Sequence, residues 1–170
     1  SRITTFFEDG VVGHVPFADP VCSLVAKALA NAAEKTGTRV HRGGTYVCME
    51  GPQFSTRAES CLYRSWGASV IGMTSMPEAK LAREAELPFA TLALATDYDC
   101  WHDSHDDVTV EAVVATMKEN VSLAKKAIAF LAASLPDPAK SVAHRAARGA
   151  LMTARDAMSA TVQQRLAWLL

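Results

Sequence analysis

Apolar residues recur at helical spacing along four segments of the chain. The pattern predicts helices over 20–35, 57–66, 76–85 and 110–133. Thr56 and Ser75 each precede a glutamate by three residues, which is the capping-box pattern that begins a helix. Pro136 follows the last and longest segment and cannot continue a helix. The helices are therefore predicted from both their apolar periodicity and their boundaries.

Short apolar runs lie between these helices. They predict strands over 39–41, 45–49, 70–73 and 88–95. The run over 88–95 is apolar almost throughout, as expected for a strand covered on both faces. Strands that alternate with helices are typical of the α/β class. We predict a mixed, twisted sheet flanked by helices and followed by a helical C-terminal tail.

The character of the chain changes after Pro136. Residues 1–135 are predicted to form the C-terminal portion of one α/β domain, and residues 136–170 a helical tail rich in Ala and Arg. The tail ends in Leu166, Trp168 and two more leucines, an apolar patch too large to leave in water. We therefore expect the tail to pack on the same or a neighbouring subunit.

Composition excludes several classes of protein. The formal net charge of −1 gives no bulk attraction to nucleic acid or to an anionic membrane. Apolar runs stay shorter than the roughly 20 residues of a bilayer span, and no signal-peptide region follows Ser1. The four cysteines form no C-x-x-C pair, which disfavours a zinc ribbon or a redox motif. We expect a cytoplasmic protein with reduced thiols.

Polar side chains follow two predicted strands at their carboxyl ends, where open α/β sheets bind ligands. Thr74 comes after the strand over 70–73, and it either binds an anion at the next helix or caps that helix. Asp97 and Asp99 come after the strand over 88–95. Two such acids suit a purine ring nitrogen and an exocyclic amine; the alternative is a solvated loop or a helix cap.

Other candidates carry less information. Phe54 follows a Gly-Pro turn, where it either stacks on a flat base or belongs to the core. Two histidines and three aspartates fall within 102–107, but their spacing matches no common zinc signature, so we predict no metal site. His14 lies in a Gly-His-Val-Pro turn and indicates no chemistry by itself.

Four motifs together resemble one family. Residues 44–60 read GTYVCMEGPQFSTRAES, 66–68 read WGA, 72–78 read GMTSMPE and 95–101 read ATDYDCW. They resemble methylthioadenosine phosphorylases, a branch of the purine nucleoside phosphorylases, in one register from about Arg2 to Leu131. The resemblance is to the adenine-preferring branch, because the 6-oxopurine branch typically has Asn where Asp97 stands. It implies that the chain has part of a purine nucleoside phosphorylase-like fold. It also implies phosphorolysis of 5′-methylthioadenosine to adenine and 5-methylthioribose 1-phosphate.

The resemblance also implies roles for the residues that match the family motifs. Phe54 would pack against the purine and the sugar, Met73 would line the ribose, and Thr74 would help to bind phosphate. Asp97 would hydrogen-bond N7 of the purine and protonate it as the bond breaks. Asp99 would support the 6-amino edge of the base.

Further matching residues would complete the pocket. Ser55 and Val110 match positions that set the preference for base and 5′-group, and Val113 and Val114 would help to form the apolar methylthio pocket. His14 matches a residue that a neighbouring subunit lends to the site, so the resemblance implies a homotrimer. The partners implied are a small-molecule nucleoside and phosphate as co-substrate, with no metal or organic cofactor.

Elementary chemistry agrees with a proton donor at position 97. Adenine is a poor leaving group, and a proton on N7 prevents negative charge from building on the ring. Asp97 must then be protonated or share a proton near pH 7, through burial or through the like charge of Asp99. Phosphate acts as the nucleophile. Its negative charge also stabilises a transition state in which the sugar resembles a cation.

The chain departs from the family in one respect. The family's Gly-rich turn, Arg-His pair and Thr-Ala segment, which hold most of the phosphate, have no counterpart here. We therefore expect either a fragment or a chain that works with a second chain carrying the N-terminal half. Alternatives are a related phosphorylase for methylthioinosine, inosine or 5′-deoxyadenosine, a hydrolytic nucleosidase, and an inactive subunit that assembles and binds ligand.

Overall fold

The computed structural model describes residues 2–102 and 110–169 of the chain. In chain order the elements are α1 (Ser23–Glu34), β1 (Thr45–Cys48), α2 (Arg57–Ser65), β2 (Ala68–Gly72), α3 (Ser75–Glu84), α4 (Val110–Ala132) and α5 (Ala160–Arg165). Single 3₁₀ turns occupy Pro138–Lys140 and Arg155–Ala157. Helices combined with a small parallel sheet confirm the predicted α/β class.

The described sheet is smaller than the predicted one. β1 and β2 pair in parallel, with Cys48 opposite Gly72. The described structure contains no hydrogen-bonded strand at 39–41 or 88–95, so those two predictions are wrong. A segment becomes a strand only when a neighbouring strand pairs with its backbone. No described residue pairs with 88–95 in that way, although its apolar composition suits a buried strand.

Contacts divide the chain into two compact units, which are described separately. Unit 1 comprises Ser1–Ala26, Ser75–Thr91 and Pro136–Leu170, and unit 2 comprises Lys27–Thr74 and Leu92–Leu135. The predicted division at residue 135 stays a prediction. Among the described residues, no helix is both long enough and apolar enough to cross a membrane.

Unit 1 is built around a cluster that joins the two ends of the sequence. Phe7 and Val11 pack with Met158, Val162 and Leu166, and Leu166 is 1% exposed. The ring of Trp168 meets Phe6 edge-on, with centroids 5.0 Å apart. Burial of apolar area is the main stabilising contribution in such a cluster. The end of the tail therefore packs on the N-terminal segment of the same chain.

Two buried charged residues at the end of α3 fasten the N-terminal segment in unit 1. Glu84 accepts hydrogen bonds from the Thr5 hydroxyl (2.7 Å) and the Phe6 backbone N–H (2.6 Å). Arg83 donates to the carbonyl of Pro16 at 2.6 Å and to that of Asp19. Buried charges are stable only when they are paired in this way. α3 therefore fixes the path of residues 5–19.

The tail is less helical than predicted. It forms the two 3₁₀ turns, a run of turns over 142–150 and the short α5, whereas two helical stretches were expected. Arg145 and Gly149 have positive φ values of 61° and 76°, which interrupt right-handed helical geometry. Ala and Arg favour helix by propensity, but propensity alone does not overcome these local conformations.

Unit 2 contains the parallel strands, most of α1, all of α2 and all of α4. The C-terminal part of α1 buries Leu29, Ala32 and Ala33. α4 differs, because the apolar side chains that recur at helical spacing along it are largely exposed. Apolar residues between 41% and 58% exposed along it include Val114, Met117, Val121, Ile128 and Phe130. Only Ala127 of the described α4 side chains is fully buried.

Candidate active site

The carboxyl ends of β1 and β2 lie side by side. Because Cys48 pairs with Gly72 and the Met49 N–H donates to the Gly72 carbonyl (2.9 Å), the chain leaves both strands at one edge. Met73 then lies against Gly51, where an added Cβ would stand 2.8 Å from its sulfur. Gly51 also has φ +69°, a conformation that favours glycine. The turn after β1 and the residue after β2 are therefore in contact.

Ser55 connects this turn to the segment 96–102, which carries Asp97 and Asp99 and is called the acidic loop below. Its hydroxyl donates to the Met49 sulfur (3.1 Å), and its carbonyl accepts from the Cys100 thiol (3.6 Å). The neighbouring Phe54 is 86% exposed, so the alternative that Phe54 is a core residue is wrong. An exposed aromatic ring beside an anchored loop is available to stack on a ligand.

The two acids of the loop differ in their surroundings. Asp99 is half-buried; it accepts from the buried Ser60 hydroxyl and from the Cys100 backbone N–H (2.9 Å). Asp97 is exposed, and its carboxylate accepts from the Thr96 hydroxyl (2.8 Å). The described residues therefore fix Asp99, but they do not bury Asp97.

α2 supports this loop and begins with the predicted capping box. Thr56 accepts from the Glu59 backbone N–H (3.3 Å), while the Glu59 carboxylate accepts from the Thr56 N–H (2.7 Å) and hydroxyl (2.8 Å). These bonds, the backbone one first, lower the pKa of Glu59. The prediction of a capping box at Thr56 is confirmed.

Removing this cap should destabilise α2. We expect Thr56→Ala to cost about 1 kcal/mol of unfolding free energy, because two helix-terminal bonds are lost. The pKa of Glu59 is lower in the folded state, so its stabilising contribution is present above the unfolded value and disappears as pH falls through the folded one. Urea titrations at pH 7 and pH 3 should show a larger effect of Thr56→Ala at pH 7. An equal effect at both pH values would contradict a role for ionised Glu59.

Thr74 is exposed and lies directly before α3. Ser75 is the first residue of α3, and its hydroxyl lies 3.0 Å from that of Thr91. The capping box predicted at Ser75 is therefore wrong, because Ser75 belongs to the helix and does not precede it. The predicted phosphate-binding role of Thr74 stays a prediction.

α4 is joined to the segment before the acidic loop by Asn120, whose side-chain amide donates to the Ala95 carbonyl (2.9 Å). Val114 is 41% exposed on α4. The side chains of Val110 and Val113 lie outside the described residues. Their predicted roles in preference and in the methylthio pocket stay predictions.

His14 belongs to unit 1. Its side chain is exposed, and its backbone N–H donates to the Ala150 carbonyl (2.9 Å) beside the bridge between Gly13 and Leu151. The chain around His14 is therefore held by the turn-rich tail, while the imidazole is available to a ligand or another chain.

Within 2–102 and 110–169, no three His, Cys, Asp or Glu side chains are arranged to hold a metal ion. Most of the segment 102–107 lies outside those ranges. The described member, His102, stacks on the ring of Tyr98 with centroids 4.5 Å apart.

Sequence reasoning missed the residues that fix the acidic loop. Ser60 is 1% exposed and contacts Asp99, and Arg64 lies over the ring of Trp101 with its guanidinium carbon 3.4 Å from the centroid. Spacing of i and i+4 places Ser60 and Arg64 on one face of α2. That shared face was the only signal in the sequence, since their partners lie far along the chain.

The burial and surroundings of Cys22 were also not predicted from the sequence. It is buried directly before α1; burial favours the neutral thiol, but hydrogen bonds from Ser141 and from the backbone of Val25 and Leu24, with the charge of Arg83, lower its pKa overall. A thiol at a helix N-terminus commonly has a lowered pKa. Cys22 lies in unit 1, whereas Phe54, Asp97 and Asp99 belong to unit 2.

In α/β proteins, ligands bind beyond the carboxyl ends of parallel strands, and here Phe54 and Thr74 follow those ends while the acidic loop is hydrogen-bonded to the turn after β1. A family model described as the phosphorylase superfamily matches residues 1–133, and the chain belongs to that family. It is similar to S-methyl-5′-thioadenosine phosphorylases, which confirms the resemblance carried by its motifs. That of Geobacter sulfurreducens is 54% identical over 98% of this chain and 58% of its own length.

Other relatives agree. The S-methyl-5′-thioadenosine phosphorylase of Thermosynechococcus vestitus is 53% identical over 100% of this chain and 60% of its own length. A solved methylthioadenosine phosphorylase from an Antarctic soil metagenomic library is 49% identical, with a TM-score of 0.88 over 99% of this chain and 60% of that one. The Schistosoma mansoni enzyme, solved with adenine, is 26% identical with a TM-score of 0.70, over 99% of this chain and 60% of that one. The chain spans about three fifths of the length of these relatives.

Proposed function

We propose that this chain forms the base- and ribose-binding part of a site that cleaves 5′-methylthioadenosine with phosphate. The products are adenine and 5-methylthioribose 1-phosphate. One observation carries the proposal: within unit 2, contacts of Met73, Ser55 and Asp99 join the loops after β1 and β2 to the acidic loop. The family match and the names of the relatives support the same reaction.

In this proposal the base lies against Phe54 and the acidic loop. The exposed Phe54 ring packs on the purine and the sugar, and Met73 lines the ribose. Asp99 accepts a hydrogen bond from the 6-amino group, because both of its oxygens are already oriented as acceptors. Asp97 forms a hydrogen bond to N7 of the purine. The bound nucleoside then shields Asp97 from water, which the described residues do not do.

The reaction requires one bond to break and one to form. A phosphate oxygen forms a bond to C1′ of the sugar, while the electron pair of the C1′–N9 bond passes to the base. The proton of Asp97 passes to N7, so adenine leaves as a neutral molecule. Thr74 donates a hydrogen bond to the phosphate. The phosphate, as an anion, also stabilises the positive charge that develops on the sugar. No metal or organic cofactor takes part in this proposal.

The remaining residues set the substrate range and the assembly. Ser55 and Val110 would set the preference for base and 5′-group, and Val113 and Val114 would contact the methylthio group. His14 would complete the site of a neighbouring subunit. We propose a cytoplasmic homotrimer, or an assembly with a chain that carries the rest of the phosphate site. The exposed apolar side chains of α4 support such an assembly, since contiguous apolar surface marks interaction sites.

The purified 170-residue chain should bind adenine but release it slowly from 5′-methylthioadenosine, because the family's main phosphate-binding motifs have no counterpart in it. Chromatography of adenine release with and without phosphate tests this, and calorimetry with adenine tests base binding. Robust turnover by the chain alone would contradict the expected weak phosphate binding. Release that does not depend on phosphate would favour a hydrolase, and absence of adenine binding would overturn the proposed function.

A further inference from the structure

Ser60 is a buried polar residue in α2 that faces the acidic loop. Its side chain is 1% exposed, and its backbone N–H makes the ordinary helical bond to the Thr56 carbonyl (3.0 Å). The hydroxyl is excluded from water, and it donates to Oδ2 of Asp99. A buried hydroxyl without a partner is unfavourable, so this bond strongly favours one orientation of Asp99.

The second oxygen of Asp99 is also occupied. Oδ1 accepts from the Cys100 backbone N–H at 2.9 Å. With one donor on each oxygen, the plane of the carboxyl group is fixed, and the lone pairs that remain are acceptors. Such a group attracts the N–H of an amine and repels a carbonyl oxygen.

A second contact from α2 holds the same loop. Arg64 lies one helical turn after Ser60, and its guanidinium carbon is 3.4 Å from the centroid of the Trp101 ring. This cation–π contact lies two residues beyond Asp99. α2 therefore fastens the loop on both sides of Cys100, and Asp99 cannot turn without breaking contacts.

We propose that Ser60 is a positioning residue that makes the site prefer a purine with a 6-amino group over one with a 6-oxo group. This inference rests on the proposed function, in which Asp99 faces the 6-amino edge. A fixed carboxylate accepts from the 6-amino N–H and repels a 6-oxo oxygen. A carboxylate released from Ser60 turns aside and discriminates less.

The test compares Ser60→Ala with Ser65→Ala in the full chain. Ser65 is a matched control, because it is in the same helix, is exposed, and donates only to the Leu62 carbonyl (2.7 Å) in the described structure. Calorimetry with adenine and with hypoxanthine gives the ratio of the two affinities. We expect Ser60→Ala to lower the adenine-to-hypoxanthine ratio about tenfold, the effect of one hydrogen bond to a charged group. Ser65→Ala should leave the ratio unchanged.

Loss of both affinities by the same factor, or an unchanged ratio, would overturn the proposal, since a merely structural role would give those results. Ser60→Cys keeps the buried space filled while weakening the donor, so it should fold and lower the ratio in the same direction. If it folds and keeps the ratio, the proposal is equally wrong.

A second measurement separates this inference from the function on which it rests. In a double-mutant cycle of Ser60→Ala and Asp99→Asn, followed by urea unfolding, we expect the two effects to be non-additive. Additive effects would overturn the contact itself. If the unmodified chain binds neither purine, the proposed function fails and this inference fails with it, while the cycle still reports whether Ser60 and Asp99 interact.

Discussion

Replacing Asp97 by asparagine should lower the rate of adenine release from 5′-methylthioadenosine by a factor of about 10² to 10⁴. An amide keeps the shape of the carboxyl group but cannot transfer a proton to N7, and general acid catalysis typically contributes a factor of this size. The amide can still donate a hydrogen bond to the N7 and 6-oxo edge of hypoxanthine. Asp97→Asn should therefore also shift preference toward 6-oxopurine nucleosides.

Single-turnover reactions, with protein in excess over nucleoside, make this measurable even when turnover is slow. Release of adenine and hypoxanthine is compared for 5′-methylthioadenosine and 5′-methylthioinosine. Asp156→Asn is the control, because Asp156 is an exposed acid in the tail of unit 1. An Asp97→Asn protein with unchanged rate and unchanged preference would show that Asp97 neither donates the proton nor reads the base.

Replacing Leu166 by alanine should destabilise unit 1 by about 2–5 kcal/mol, the usual cost of a cavity left by a buried leucine. Leu166 is 1% exposed and packs in the cluster of Phe7, Val11, Met158 and Val162. That cost is a large fraction of the roughly 5–15 kcal/mol that stabilises a typical domain. Urea unfolding followed by circular dichroism should show a lower midpoint.

Leu87→Ala is the matched control for Leu166. It makes the same chemical change in the same unit, at a side chain that is 59% exposed. We expect a change within about 0.5 kcal/mol for this surface position. Equal and small effects of both substitutions would mean that the tail does not pack on the N-terminal segment in solution.

The helices of the fold could be predicted from sequence because their signals are local. The capping box at Thr56 and the apolar periodicity of α4 place those helices to within one residue. The strand predicted over 88–95 failed for the opposite reason, since apolar composition does not tell which backbone pairs with which. In the tail, the left-handed conformation of Arg145 interrupts a stretch whose residues favour helix.

The residues of the candidate site also differ in whether a local signal in the sequence predicts them. The motifs that resemble the family predict that Asp97, Asp99 and Phe54 face a ligand, and this stays a prediction. The partner of Asp99 could not be predicted. Ser60 lies 39 residues earlier, and a serine in the middle of a helix carries no mark of its burial or of the carboxylate that it contacts.

Thr74 and Asp99, two residues of the candidate site, are held in place by different elements of the fold. Thr74 follows β2, whose position depends on its pairing with β1, whereas Asp99 is fastened by a side chain of α2. In the proposed function, changes at Ser60 and Arg64 on α2 therefore alter which base is accepted. If that function holds, a new nucleoside preference needs only a few substitutions on one face of this helix during the divergence of such proteins.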